Sequence, residues 1–458
     1  MEKLGKPGVL VTTDQFHNDA QLAAEDVGMP KLRMVALPAR EWYRARIDAR
    51  MSGDLAEKYF DQVVDALTRP LSQEEANPKP RVKEVLEPWF DVIAKDQDMV
   101  PDAVTQLFME KHMNDGLPVV PPTKDAVDWM LTGTSRSPDE KIGTLPPRRG
   151  TATIRKIAIN AVMAGARPEY LPVIIAAVEG LADPNFDGTW WRMSTSSSFP
   201  AIIVSGPLGA ELKMNSGMGL IGYGFRANAT IGRAVQLVTL NMGQTWPDVN
   251  DMAGTGRTNS YTFWVFAEDP ESPWESYAVG KGYKPEETVV ITTVAGSGTM
   301  RTIGGGAVAP WTEKGILDGV VQQIGRIGGS VWTATWTLVM HPECARLLKT
   351  DGMSRKDVQN FLWEESKVPY EKIAQSSIKA INESLDAGHF LPESAPVFRE
   401  ALKPGGKVPV VQTPEHIDIV VAGGMAGYTW LFGGMGANPH HSVKKVTGAT
   451  LTKSGRGA

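Results

Sequence analysis

Short apolar strands alternate with helical segments along most of this chain, and many of the strands end in glycine, serine or aspartate. Residues 201–205, 288–294 and 417–421 are apolar runs of strand length, and segments with helical periodicity lie between them. This alternation is typical of the α/β class. We therefore predict open mixed or parallel sheets that are flanked by helices.

The first 50 residues predict one β-α-β unit. An apolar run ends at Thr13 and Asp14, a helical pattern stops at Gly28, and a second strand follows at residues 32–37. Such a unit pairs two parallel strands, and a sheet of two strands is not stable by itself. We interpret it as a fragment of an incomplete Rossmann-like domain, completed by strands from later in this chain or from another chain.

The rest of the chain divides into two parts. Residues 51–123 combine helices with a proline-rich, charged stretch, which predicts a linker or an arm that wraps around a neighbour. Residues 124–458 predict a large α/β domain, either as one body or as two lobes at 124–310 and 311–458. Two helices, a strand and a Gly-Pro turn within residues 151–207 resemble the layout around residues 335–342, but the sequence alone does not establish a duplication.

Composition narrows the function classes. The 458 residues are 42% hydrophobic and 22% charged, as in ordinary globular proteins, and the net charge of -5 argues against nucleic-acid binding. No apolar run is long enough to cross a bilayer, and no signal peptide is recognisable. One cysteine excludes an internal disulfide framework, so we expect a cytoplasmic protein. The 13 tryptophans and 19 methionines fit a subunit interface as well as a large core.

The strongest local motif is NSGMGLIGYGFRANATIGR at residues 215–233. Its glycines allow close approach of a ligand, and a helix is predicted to start near Asn228, with Asn228 or Thr230 as its cap. A helix start favours anions, and Arg226 and Arg233 add guanidinium groups. A tight packing loop with both arginines in structural ion pairs is an equal alternative. The spacing matches no nucleotide-binding fingerprint, so the cofactor stays unknown.

Other candidates lie in turns after predicted strands, where α/β proteins bind ligands. They comprise Asp14, Ser205, residues 296–298, His341 and the pair Gly423 and Gly424, to which Arg148 adds a cation. Each turn alone is common in any α/β protein. His341 and Glu343 in HPEC, and His440 near the C-terminus, are weak metal candidates, because helix capping and a buried structural Cys344 explain HPEC better. No nucleophile elbow for a serine hydrolase is present.

Three segments carry a family resemblance: DGLPVVPPT at residues 115–123, LPPRRGTATIRKIAINAVMAGARPEYLPVIIAAVEGL at 145–181, and the NSG and FRANATIGRA parts of 215–234. They resemble the large C-terminal region of the UGSC family, bacterial proteins named for a Sec/Cys-Gly-Ser-Cys motif and described as thiol or selenol oxidoreductases. The segment around residues 11–38 resembles the second half of that family's small Sec/Cys domain.

Two departures from the family pattern shape the functional hypothesis. The Cys-Gly-Ser-Cys motif and the half-domain expected before Val9 are missing, and Leu37-Pro-Ala-Arg40 stands where the family often has Pro-His-Pro. The resemblance therefore implies the large subunit of a split, oligomeric enzyme, in which a small partner subunit supplies the reactive cysteine. It implies thiol-dependent redox or addition/elimination chemistry on a small anionic organic substrate.

In this hypothesis Asp14, Asn215 and Ser216 take part in catalysis. The substrate would be bound by Arg148, Arg226, Asn228, Arg233, Gly423 and Gly424. Two other classes remain open: a metal-dependent lyase or hydrolase that uses His341, Glu343 or His440, and a non-catalytic scaffold subunit of a redox enzyme.

Overall fold

The computed structural model confirms the α/β class. It describes residues 7–45, 49–79, 91–186, 188–247, 249–257, 259–295, 301–304, 313–327, 335–424, 428–433 and 441–450. Mixed sheets are flanked by helices, as the strand–helix alternation predicts. No helix within these ranges is long and apolar enough to cross a membrane.

The N-terminal unit, which we define as residues 7–79, is the predicted β-α-β unit with helices added after it. β1 and β2 are parallel, and Leu10 pairs with Met34. Helix α3 packs Leu55 against Val35 and Leu37, which are the buried apolar residues of this unit's small core. The elements are β1 (Leu10–Thr13), α1 (His17–Asp26), β2 (Met34–Leu37), α2 (Ala39–Ala45), α3 (Ala49–Thr68) and α4 (Gln73–Ala76).

The segment that follows leads into the large body through two helices and a hairpin. Residues 117–122 form no helix or strand, as their prolines predict. The elements are α5 (Val100–Glu110), α6 (Lys124–Leu131), β3 (Lys141–Leu145) and β4 (Gly150–Thr153). The helical pattern of the segment starts at Thr151, but residues up to Thr153 pair with β3, and Thr153 caps the helix that begins at Ile154.

The first sheet has the order β6-β5-β7-β14 in the described residues, and β14 is the late strand His441–Lys445. Its strands β5 and β6 are parallel, whereas β5–β7 and β7–β14 are antiparallel. Apolar helices cover one of its faces, most completely α8, which is buried over nearly its whole length. The elements are α7 (Ile154–Met163), α8 (Leu171–Leu181), α9 (Gly188–Met193), β5 (Phe199–Ser205), α10 (Pro207–Glu211), α11 (Arg226–Gly243), β6 (Trp264–Ala267), α12 (Tyr277–Gly280) and β7 (Val289–Ala295).

The second sheet has the order β12-β9-β13-β8 among the residues that the structure describes. Its outer face is buried under helices of the C-terminal half, in a core that includes Leu317, Leu348 and Phe398. The elements are β8 (Arg301–Gly304), α13 (Glu313–Ile327), β9 (Trp336–Met340), α14 (Pro342–Thr350), α15 (Arg355–Glu365), β10 (Val368–Pro369), α16 (Gln375–Asp386), α17 (Ala395–Ala401), β11 (Lys407–Val408), β12 (Ile417–Val421), β13 (Tyr428–Gly433) and β14 (His441–Lys445).

The two sheets pack face to face, which gives four layers in the order helix, sheet, sheet, helix. Val339, Val420 and Phe432 of the second sheet belong to the same buried core as the strands of the first sheet. Their neighbours Leu338, Ile419 and Leu431 point the other way, into the helices of the C-terminal half. Alternate side chains of one strand face opposite sides of a sheet, so this division shows which face of the second sheet meets the first.

Both sheets have the same strand arrangement, and they exchange one strand. In each sheet an edge strand runs parallel to a central strand, and two antiparallel strands follow. In each, the central parallel strand continues into a proline-initiated helix, at Pro207 and at Pro342. β8 follows β7 in the chain but pairs with β13, and β14 follows β13 but pairs with β7. The sheets therefore do not follow the division at 310/311 that the two-lobe alternative used.

Candidate functional site

The carboxyl ends of three strands meet beside the loop that precedes α11. The N–H of Ala422, after β12, donates to Met340 O at the end of β9 (3.0 Å), and the N–H of Asp269, after β6, donates to Val421 O (2.8 Å). Such strand ends are where ligands bind in α/β sheets. We call the residues Asn215, Ser216, His341, Gly423 and Gly424, which lie here, the strand-end group.

Backbone hydrogen bonds hold the loop to both sheets. The carbonyl of Asn215 accepts from Ala267 N at the end of β6 (3.1 Å), and the carbonyl of Ser216 accepts from Gly423 N after β12 (2.7 Å). The structure thus brings together four predicted site residues, Asn215, Ser216, Gly423 and Gly424, which are distant in sequence.

Two glycines are required by this contact. Gly423 has a φ of 109°, which residues with a side chain rarely adopt. A Cβ added at Gly424 would lie 2.6 Å from the Cα of Met218, so any side chain there would push the loop away from β12. Both glycines therefore set the shape of the site, beyond offering backbone groups to a ligand.

Asn228 positions the loop and does not cap the helix. Helix α11 begins at Arg226, two residues before the predicted start, and neither Asn228 nor Thr230 is its cap. The buried Asn228 amide accepts from Asn215 N (2.9 Å) and donates to Val265 O (2.8 Å) and to Asn215 O (3.3 Å). Because its oxygen and its nitrogen both bind the backbone of neighbouring segments, this side chain ties the loop to β6.

The two arginines of α11 have different surroundings. Arg226 is exposed at the helix start, and its guanidinium donates to Gly165 O at 3.0 and 3.3 Å. Arg233 forms a two-pronged ion pair with the buried Asp115, at 2.8 and 2.9 Å, and also donates to Leu117 O. The structural ion pair that the sequence offered as an alternative thus holds for Arg233, which attaches residues 115–117 to α11.

His341, the fifth member of the strand-end group, caps a helix. Its Nδ1 accepts from Glu343 N (3.1 Å) at the start of α14, and it also bonds to the backbone of Gly424. Burial lowers the pKa of His341, so its neutral form is favoured. Glu343 forms a surface pair with Arg346, at 2.5 Å. In the described residues no group of three or more His, Cys, Asp or Glu side chains is arranged for a metal ion. His440 lies outside the described residues.

Cys344 is a protonated, buried thiol. Its side chain is 1% exposed and packs in the core beneath the second sheet. Burial raises its pKa to about 11, so the reactive thiolate is disfavoured at neutral pH. These surroundings fit the structural role that the sequence favours for Cys344.

Asp14 and Arg148 do not contact the strand-end group within the described part of the chain. Asp14 accepts from Gln15 N and Ala39 N (2.8 and 2.9 Å), so its described bonds stay inside the N-terminal unit. Arg148 is 7% exposed and pairs with Asp26 at 2.9 Å, which joins the N-terminal unit to the body. Its backbone N–H donates to Gly243 O at the end of α11, which lies ~22 Å along the helix axis from Asn228.

Sequence reasoning missed a buried charged cluster between the two sheets. Asp418, Tyr277 and His441 come together there, although they belong to β12, α12 and β14. The signal that could have found them is the aspartate inside the apolar strand IDIVV, because a carboxylate is rarely buried without partners. The partners themselves could not be identified without the packing of the two sheets.

The fold is that of an α/β protein, and the strand-end group joins polar and glycine residues at the carboxyl ends of three of its strands. Comparison with protein-family models and with curated protein sequences finds no match to this chain.

Proposed function

We propose that this chain is the large subunit of a heteromeric enzyme, and that a smaller partner chain completes the sheet of the N-terminal unit. The observation that carries the proposal is the β1–β2 pair, which within the described residues is a sheet of two strands. Leu10 and Val11 of β1 are 37% and 45% exposed, although strands of this composition are normally covered. A parallel pair needs further strands for independent stability.

Helix α3 supports the same conclusion from its own surface. One of its faces packs Leu55 on the sheet, whereas Phe60 and Val64 point outwards and are 63% and 37% exposed. Residues four apart lie on the same face of a helix, so these two form one apolar strip. A second apolar face on a helix that already covers a sheet fits contact with another chain.

The partner in this proposal carries the reactive cysteine of the Cys-Gly-Ser-Cys motif that UGSC-type proteins have. Cys344 is a poor substitute, because it is buried and protonated. The reaction is thiol-dependent redox or addition/elimination chemistry on a small anionic organic substrate. Asp14, at the carboxyl end of β1, would border the position of the partner's thiol.

The strand-end group provides the substrate site of the proposal. Polar groups of Asn215 and Ser216 lie beside the loop 217–224, which is exposed at Met218, Gly219 and residues 222–224, and the guanidinium of Arg226 lies at the start of α11. A helix start and an arginine both favour an anion. Because Asp14 does not contact this group, the proposal requires an oligomer that brings a partner subunit's thiol to the strand-end group.

The first test concerns the partner. The chain would be co-expressed with a small chain that carries a Cys-Gly-Ser-Cys half-domain, and the complex would be weighed by analytical ultracentrifugation. Val11→Lys and Phe60→Lys should weaken association at least 10-fold, because a charge would be buried at the contact. Val397→Lys, at a similarly exposed apolar site in the body, is the control.

Two results would contradict this part of the proposal. One is a monomeric chain that turns over substrate at full rate with no second polypeptide. The other is a partner that reaches full turnover alone, which would make this chain the scaffold subunit that the sequence left as an alternative.

The second test concerns the substrate site in the assembled complex. Arg226→Ala should raise KM at least 10-fold, because it removes the exposed cation at the start of α11. Arg399→Ala, which removes an arginine from a surface pair with Asp386, should leave KM unchanged. Equal KM values for both variants would exclude Arg226 from the substrate site.

A further inference from the structure

The inter-sheet cluster, which we define as Asp418, His441, Tyr277, Lys281, Thr293 and Thr337, is centred on one buried carboxylate. Asp418 is 1% exposed and accepts from the Tyr277 hydroxyl at 2.8 Å. His441 Nε2 lies 2.6 Å from its other oxygen, Oδ2, and Lys281 Nζ lies 3.2 Å from Oδ1, the oxygen that also binds Tyr277. Burial raises the pKa of Asp418, but His441, Lys281 and Tyr277 outweigh it and hold that pKa well below its usual range.

An aspartate that binds one ring nitrogen of a histidine orients the ring for acid–base work. With Nε2 facing Asp418, Nδ1 is the nitrogen that carries the lone pair of the neutral ring, and the carboxylate fixes the orientation of that ring. Two of the cluster's members face solvent in part: the side chains of His441 and Lys281 are 16% and 33% exposed. The half-buried His416 lies beside them.

Two buried hydroxyl groups without hydrogen-bond partners lie next to members of the cluster on the paired strands. Thr293 of β7 is the cross-strand partner of His441 of β14, so both side chains lie on the same face of the first sheet. Thr337 of β9 is the cross-strand partner of Asp418 of β12, so both lie on the same face of the second sheet. Thr292 packs against Gly180 of α8, so Thr293 faces the second sheet. The hydroxyls of Thr293 and Thr337 are fully buried and have no hydrogen-bond partner.

Buried hydroxyls without protein partners are costly, and beside a charged cluster they fit a ligand that can accept their hydrogen bonds. Lysine matches a carboxylate, and hydroxyl donors match a carbonyl oxygen on which negative charge develops. We propose that the inter-sheet cluster is an acid–base site for a small 2-oxo carboxylate. This site is independent of the partner subunit and of the strand-end group.

The step at this site is reversible proton transfer. His441 Nδ1 takes a proton from the carbon next to the carbonyl. The electron pair of that C–H bond forms a C=C bond, and the π pair of the carbonyl moves onto its oxygen, which gives an enolate. The threonine hydroxyls donate to this oxygen, and Lys281 pairs with the carboxylate. The imidazolium exchanges its proton with solvent and returns a proton to the carbon, so no oxidant or co-reactant is consumed.

Deuterium uptake from D₂O tests the step on the full chain without a partner. With pyruvate and 2-oxobutyrate as probes, NMR should show uptake at carbon 3 at least 100-fold faster with the wild type than with His441→Gln. His389→Gln, at an exposed histidine of the body, is the matched control and should keep the wild-type rate. Equal rates for wild type and His441→Gln, or no uptake above the protein-free rate with both acids, would overturn the proposal.

Thr293→Val separates a ligand-binding hydroxyl from a structural one. If the hydroxyl binds substrate, the variant should raise the KM for exchange at least 5-fold while the chain stays folded. If it is only an unpaired group in the core, an isosteric valine should leave exchange unchanged and keep or raise the thermal midpoint, and that outcome would also overturn the proposal. Because these assays need no second chain, their failure says nothing about partner binding.

Discussion

The N-terminal unit and the two-sheet body are built from the same kinds of element but differ in how much they bury. In the N-terminal unit α3 covers Val35 and Leu37, while Phe60 on the same helix is 63% exposed. In the body Phe266 and Phe432 are 0% exposed, because helices and a second sheet cover both faces of each sheet. Full burial of such a side chain contributes about 1.5–3 kcal/mol. Apolar periodicity is therefore enough to form a helix or strand. Full burial of its apolar side chains needs a further layer of helices or strands on each side of the sheet.

The largest difference should come from the two cores. Phe432→Ala should lower the free energy of unfolding of the body by about 3–5 kcal/mol, since it leaves a cavity between the sheets. Leu37→Ala should leave this main transition in place and instead speed hydrogen exchange in β1 and β2. Urea unfolding and hydrogen exchange would measure the two effects. If unfolding shows a single transition, and Leu37→Ala shifts its midpoint as far as Phe432→Ala does, the two regions are not distinct in stability.

The second prediction concerns pH, which should act on the two regions in opposite directions. The pKa of Asp418 is lowered in the fold, so its stabilisation is present above its ordinary pKa of 3.8 and is lost as pH falls below that value. Asp418→Asn should cost about 3 kcal/mol at pH 7 and should flatten the acid side of the stability curve.

In the N-terminal unit, burial raises the pKa of Asp19 to about 6. Because this pKa is raised, Asp19 contributes fully to the stability of the fold below its ordinary pKa of 3.8, and this contribution is lost as pH rises through 6. Protection of α1 from hydrogen exchange, corrected for intrinsic rates, should therefore fall between pH 5 and 7 in the wild type and stay level in Asp19→Asn. The same pH profile in both proteins would contradict the assignment to Asp19.

The third prediction concerns the junction between the regions. Arg148→Met should lower the stability of the N-terminal unit by about 1–3 kcal/mol, because it leaves Asp26 without its partner across the contact. Limited proteolysis should then cut residues 7–79 faster, with the body unchanged. Arg155→Met removes an exposed pair with Asp139 and should have little effect. Equal cleavage of the two variants would show that the Arg148 pair does not hold the unit.

The smallest expected effect on stability comes from two helix caps of the same type, one in each region. Ser72 and Ser354 each form a capping box, with Glu75 and with Asp357. Replacement by alanine should cost about 1 kcal/mol locally in both cases. Ser354→Ala should lower the thermal midpoint of the body. Ser72→Ala should leave that midpoint unchanged and should only speed hydrogen exchange near residue 72. A shift of the body's midpoint by Ser72→Ala would show that the two regions unfold together.

Local pattern predicted the elements better than their ends or partners. The apolar runs at residues 201–205 and 417–421 predict strands, and the structure confirms both. The start of α7 was placed too early, because strand pairing with β3 overrides the helical pattern of residues 151–153. β14 was not predicted, since its residues form a strand through pairing with β7, far away in the chain.

Only the part of the site that follows the general rule on strand ends in α/β sheets could be predicted from the sequence. Strand ends collect polar turns, so His341 and Gly423 could be expected near one another. Asn215 and Ser216 follow α10 and not a strand, so the backbone bond of Ser216 to Gly423 could not be predicted by this rule. The roles of single side chains depend on partners that are remote in sequence. The sequence alone suggests that Arg233 binds an anion, but in the structure Arg233 pairs with Asp115. It likewise suggests that Asn228 caps a helix, but the Asn228 side chain binds the carbonyl of Val265.

The exchange of β8 and β14 between the sheets gives the body the connectivity of a strand-swapped dimer whose two halves have been joined into one polypeptide. In two separate chains such an exchange depends on protein concentration, whereas one chain holds both halves at a fixed, high effective concentration. Fragments cut at residue 310 would each carry a strand that belongs to the other sheet. They should therefore fold poorly alone and recover the fold when mixed.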